Sequence, residues 1–92
     1  MGFEWDAAKV KANFRNHGVR FEESTAVFDD PYAITIADDK ADPSEERFVS
    51  IGMGALGRVL IVVYTYRGDS IRIISARVAV AHERAEYEAG LP

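Results

Sequence analysis

The chain has no cysteine, one tryptophan, two histidines and three prolines in 92 residues. Without cysteine, no disulfide can staple the fold and no thiolate can hold zinc. Long hydrophobic runs are also missing. The longest, VLIVVY at 59 to 64, is far shorter than the roughly 20 residues that cross a bilayer. The opening residues, MGFEWDAAKV, contain no apolar stretch of signal-peptide length. The expectation is a soluble, cytoplasmic protein with no membrane partner. With 48% hydrophobic side chains, residues 1–92 are expected to form a single small domain with a thin core.

Net charge is −4, which taken alone argues against nucleic acid. The distribution differs from the total. Residues 21–46 set Lys40 against Glu22, Glu23, Asp29, Asp30, Asp38, Asp39, Asp42, Glu45 and Glu46. Residues 47–82 carry Arg47, Arg58, Arg67, Arg72 and Arg77 against Asp69 alone. The strand-prone half is basic.

Phe3 and Trp5 flank Glu4 in a short alternating strand. Asp6 then supplies an N-cap for AAKVKANFRNH, a helix that Gly18 stops. Val10, Phe14 and His17 form one stripe of that helix, read as the core side. Lys9, Asn13 and Asn16 form a polar stripe, read as facing water or a ligand. FEESTAVF reads as a shorter helix ended by Asp29-Asp30-Pro31. YAITIA is a strand, and the charged segment 38–46 a mobile loop. Strands follow at 47–51, 59–66 and 70–77, with AHERAEYEAG as a closing helix. The order β-α-α-β-β-β-β-α predicts an α+β fold, helices packed on one small antiparallel sheet.

A two-residue turn at Gly68-Asp69 would pair Arg67 with Ser70 and Thr65 with Arg72. These four then share a polar face, with Tyr64, Tyr66, Ile71 and Ile73 on the apolar one. Clustered guanidinium groups need an anion between them. Either carboxylates from the acidic 21–46 segment or a phosphate can fill that role. His17 reads as a helix-end histidine suited to the C-terminal dipole or as a proton-transfer group. Glu83, Arg84 and Tyr87 lie within about one turn of the closing helix. They read as a solvent face with local pairing, or as a base, a phosphate clamp and a phenol donor. No spacing of His or carboxylates marks a metal site. GMGALG joins strands and opens no helix, so it is a poor phosphate loop. The RGD at 67–69 is too short a match to carry meaning.

FEWDAAKVKANFRNHGVRFEESTAVFDDP, the ERF-IG pair and GRVLIVVYTYRGDSIRIISAR with the following ER and YE resemble the BrnT-type toxins. These are small RelE-like ribonucleases of bacterial type II toxin–antitoxin systems. The resemblance runs from Phe3 to Glu88. It implies a RelE-like sheet with N-terminal helices, and an RNA-cleaving toxin that blocks translation without metal or other cofactor. It also implies a BrnA-like ribbon-helix-helix antitoxin, with operator DNA reached only through that complex. Arg72 and Arg77 match the family's strand arginines and are expected to stabilise phosphate, with Arg67 as helper. Lys9 and His17 match its helix motif. Glu83, Arg84 and Tyr87 match its C-terminal motif. Between Arg77 and Glu83 the family usually has basic residues and a Thr or Ser, whereas this chain has VAVAH. The missing cap weakens the closing helix by on the order of 1 kcal/mol, and the missing cations weaken backbone binding. A catalytically weak relative that only binds an antitoxin or acts as a corepressor is the alternative reading.

Overall fold

The computed structural model describes residues 2–38 and 44–92. The mobile loop expected over 38–46 falls mainly on 39–43, outside the described residues. The elements are β1 (Gly2–Glu4), α1 (Ala7–His17), α2 (Phe21–Ser24) tightening into a 3₁₀ turn (Thr25–Asp29), β2 (Ile34–Ala37), β3 (Phe48–Met53), β4 (Val59–Arg67), β5 (Ser70–Val78) and α3 (Ala81–Ala89). The five strands form one sheet in the order β1-β5-β4-β3-β2. The α+β class is as expected, but the sheet is mixed, because β1 runs parallel to β5.

Local signals act as read. The Asp6 carboxylate accepts the Ala8 amide at 2.9 Å, and Gly18 closes α1 with φ 68°, a conformation that favours glycine. After Phe21 the helix tightens for a local reason. The Ser24 and Thr25 hydroxyls donate to the carbonyls of Phe21 and Glu22, three residues back. Such side-chain bonds compete with the regular helical pattern.

The Gly68-Asp69 hairpin has the expected register, Arg67 opposite Ser70 and Thr65 opposite Arg72. Further along, the ladder slips. Tyr64 pairs with Ile73 and Val63 with Ser75, leaving Ile74 as a β-bulge. Arg72 and Arg77 are five residues apart, so regular alternation would send them to opposite faces. The extra residue resets the phase. Arg72, Ser75 and Arg77 therefore share the face of Ile61, Val63, Thr65 and Arg67.

The other face of the sheet holds the larger core. Leu60, Val62, Tyr64, Ile71, Ile73 and Ala76 pack there with Val19, Phe21 and Val27, and with Trp5 and Phe28 at the margin. The helices do not all lie on this side. Tyr87 of α3 packs with Val59, Ile61 and Ala79 against Val49, Ile51 and Met53, residues that alternate with the first set. So α3 covers part of the arginine face.

The two stripes of α1 are also corrected. Phe14 is 44% exposed and Asn13 only 7%. The Asn13 amide donates to the Ala76 carbonyl at 2.9 Å and accepts the Ala76 N–H at 3.2 Å, and it also donates to the Val19 carbonyl. β1 borders β5 only as far as Arg72. Beyond that point the Asn13 side chain takes the place of a neighbouring strand.

Candidate functional site

One face of the sheet gathers Arg67, Arg72 and Arg77 with Thr65, Ser70 and Ser75. β1 adds Glu4, directly opposite Arg72. Phe48 packs toward the large core, so Arg47 before it alternates onto the arginine face. The Thr65 hydroxyl donates to the Glu46 carbonyl and holds that chain segment close.

Each strand arginine has a carboxylate partner, but the pairings are unequal. Arg72 reaches Glu4 at 3.6 Å and Arg67 reaches the same oxygen at 3.9 Å, both beyond hydrogen-bond distance. The Arg67 side chain is 61% exposed and that of Arg72 27%. Arg77 instead makes a two-pronged contact with Glu83, 2.7 Å to each oxygen. The carboxylates thus come from Glu4 and Glu83, where the sequence pointed to segment 21–46. That segment spends Glu23 elsewhere, on Arg58 at 2.6 and 2.7 Å. Arg58 also donates to the Gly18 carbonyl, tying α1 and α2 to the start of β4.

Glu83 does not stand free as a base. Hydrogen bonds from Arg77 outweigh partial burial and, with the Val80 amide, hold its carboxyl at about 2. Such a carboxylate accepts a proton too weakly for base catalysis near neutrality. Its structural work is clear. It accepts the Val80 N–H at 2.9 Å and so restores part of the cap that valine cannot provide.

Glu83, Arg84 and Tyr87 do not form a group. Arg84 points along the helix to Glu88 at 3.7 Å. Tyr87 is 3% exposed and donates its hydroxyl to Asp30, which places it in the core and out of reach as an RNA contact. Burial, then the hydrogen bond and charge of Asp30, push the Tyr87 phenol up to about 12. Burial alone would raise the Asp30 carboxyl. Hydrogen bonds from Tyr87 and the amides of Met53 and Tyr32 outweigh it and leave that carboxyl below its ordinary value.

Lys9 and His17 are exposed on α1, which packs against the side and edge of β5 away from the arginine face. Among the described residues, no hydrogen bond or ion pair joins them to Arg67, Arg72 or Arg77. The structure does not assemble them into one site.

Beside the hairpin lies a hollow of about 260 Å³, lined by Ser44, Glu45, Glu46, Phe48, Thr65 and Tyr66. It touches the arginine face at Thr65, but no arginine lines it. Among the described residues, no group of three or more histidines and carboxylates is placed to hold a metal. Among the described residues, two buried side-chain atoms lack hydrogen-bond partners, Glu4 Oε1 and Arg47 Nε, and both belong to this face. Sequence reading gave Glu4 no role and set Asn13 on a polar stripe facing water or a ligand. The signal for Glu4 was present: it alternates with Phe3 and Trp5 and so shares the parity of Arg72.

Residues 5–83 match the family described as the ribonuclease toxin, BrnT, of type II toxin-antitoxin system. The chain belongs to the BrnT family. It is also similar to the Brucella abortus ribonuclease toxin BrnT, known from a 1.1 Å crystal structure. The TM-score is 0.68 at 25% identity, covering 88% of this chain and 99% of that one. No curated protein sequence matches. The BrnT span contains Lys9, His17, Arg67, Arg72, Arg77 and Glu83, and ends before Arg84 and Tyr87.

Proposed function

We propose that this chain is an RNA-cleaving toxin whose working surface is the sheet face carrying Arg67 and Arg72. The observation that carries this reading is that two guanidinium groups share one carboxylate at 3.6 and 3.9 Å. One negative charge against two positive leaves an excess suited to a phosphate. Exposed ion pairs of this kind are worth about 0–1 kcal/mol, whereas forked arginine–phosphate bonds are roughly twice as strong as neutral hydrogen bonds. A backbone phosphate can therefore take both arginines from Glu4 at small expense. Arg77 contributes positive potential but is held by Glu83.

The reaction is attack of a ribose 2′-hydroxyl on the adjacent phosphorus. Arg72, helped by Arg67, steadies the charge that builds on the phosphate oxygens, and such stabilisation is often the largest catalytic effect. No metal takes part. The partner is a BrnA-like ribbon-helix-helix antitoxin that neutralises the toxin. With a net charge of −4, the chain reaches operator DNA only through that basic partner.

Purified protein should cut RNA equally with and without EDTA, and induced expression should arrest translation and growth. Arg72→Ala should lower cleavage by roughly 100–1,000-fold with an unchanged unfolding curve. Undiminished cleavage by that variant removes Arg72 from the mechanism, and loss of activity in EDTA removes the metal-independent one. A second reading, an antitoxin-binding corepressor without catalysis, is favoured by the carboxylate on every strand arginine. Inert expression combined with tight antitoxin binding would select it.

A further inference from the structure

Cleavage through a 2′-hydroxyl needs a group that removes its proton. We propose that Glu4 is this group, and that β1 therefore supplies a catalytic residue to the arginine face. The inference rests on the ribonuclease reading above.

Carboxylates that approach the arginines of this face are few among the described residues. Glu83 has both oxygens committed to Arg77 and accepts the Val80 amide as well. Glu45 lies against Arg47 at 3.8 Å, on the far side of Thr65. Glu4 differs from both. Its Oε1 is shielded from water yet accepts no hydrogen bond, although two guanidinium groups stand 3.6 and 3.9 Å away. Buried acceptors without a donor are rare and call for an explanation. A ribose hydroxyl is such a donor.

The register sets the scale of the site. Glu4 lies opposite Arg72, and Arg72 opposite Thr65, with side chains of such pairs about 5 Å apart. That separation suits a carboxylate on the 2′-hydroxyl and a guanidinium on the neighbouring phosphate of one nucleotide step. When Arg67 and Arg72 turn to the phosphate, the Glu4 carboxylate is released to meet the 2′-hydroxyl. Oε1 then takes the 2′-hydroxyl proton, the 2′-oxygen bonds to phosphorus, and the bond from phosphorus to the 5′-oxygen breaks. The products are a 2′,3′-cyclic phosphate and a 5′-hydroxyl, whose proton comes from water. The hydroxide left by that water recovers the proton from Glu4.

The test uses the full chain and a single-stranded RNA oligonucleotide. Glu4→Gln should lower kcat by roughly 100–10,000-fold. Affinity for the same oligonucleotide with 2′-O-methyl riboses should not weaken, KM should not rise, and the fold should be retained in the unfolding transition. In Glu4→Ala, sodium acetate should restore cleavage in proportion to its concentration, and sodium chloride of equal ionic strength should not. Unchanged kcat in Glu4→Gln overturns the proposal. A loss confined to KM, or a kcat loss that acetate does not recover, also overturns it and leaves Glu4 as a residue that only positions arginines. If the wild-type chain cuts no RNA, the ribonuclease reading itself fails, and Glu4 falls with it.

Discussion

The two halves of β5 contain the same kinds of side chain in different employment. Before Ile74 the strand is bordered by β1, and Arg72 shares Glu4 with Arg67 at 3.6 and 3.9 Å. After Ile74 it is bordered by Asn13, and Arg77 is clasped by Glu83 at 2.7 Å twice. The first half leaves its guanidinium loosely paired, beyond hydrogen-bond distance of its carboxylate. The second uses its guanidinium to fasten α3. An arginine's role thus follows from the geometry of its carboxylate, since contacts a single ångström apart separate an exchangeable pair from a clasp.

The bulge is what allows both halves to face the same way, and its removal is the severest challenge to this division. Inserting one residue between Val63 and Tyr64 would give Ile74 a partner, restore regular alternation and turn Arg77, with its β4 neighbours, toward the core. An unpaired buried charge costs roughly 3–5 kcal/mol, a large part of the about 5–15 kcal/mol that holds a domain together. The expected outcome is loss of the cooperative transition in thermal circular dichroism. A folded insertion variant would show that β4 can absorb the extra residue without changing phase.

Next in size is Asn13→Ala. It leaves the N–H and C=O of Ala76 and the Val19 carbonyl without their partner, an expected loss of about 3 kcal/mol. In a chain of this length Tm should fall by on the order of 15 °C. A change of a degree or two would mean that water replaces the side chain, and that this half of β5 is as open as the other.

Arg77→Ala sharpens the contrast with Arg72→Ala. It should lower stability by about 1–3 kcal/mol in denaturant unfolding, and cleavage by the folded fraction far less than Arg72→Ala does. Abolished cleavage with an unchanged unfolding curve would place Arg77 with Arg72 and erase the distinction.

The smallest effect is a matter of pH. The Glu83 carboxyl is lowered from its ordinary 4.5 to about 2. A group lowered on folding contributes stability above its unfolded value and loses it as pH falls toward the folded one. The contribution should be complete above about pH 4.5 and fade toward pH 2. It should amount to about 1–2 kcal/mol, reduced by the solvent exposure of Arg77. Acid unfolding of Glu83→Gln should lack this component.

Much of the fold was legible because its signals are local. Asp6, Gly18 and the Gly68-Asp69 turn act through neighbouring backbone, and each behaves as read. The features that escaped depend on distant partners. Asn13 looked like a surface residue until it met Ala76, 63 positions away. Nothing in IRIISAR announces a bulge, since alternating isoleucines are compatible with either phase. The side on which α3 packs depends on Tyr87 finding Asp30, again a remote contact. Of the site, the arginines were evident from composition and register. Their carboxylates were not, because the acidic segment nearest in charge is not nearest in space.

Asn13 has one more effect, on how molecules of this kind can meet. By occupying the hydrogen-bonding groups of Ala76, it seals one border of the sheet against a visiting strand. At the opposite border, among the described residues, β2 has no neighbour beyond it and presents Ile36 to solvent. Strand-by-strand association is therefore directional: an extended peptide can join at β2, while at the second half of β5 it must first evict an amide.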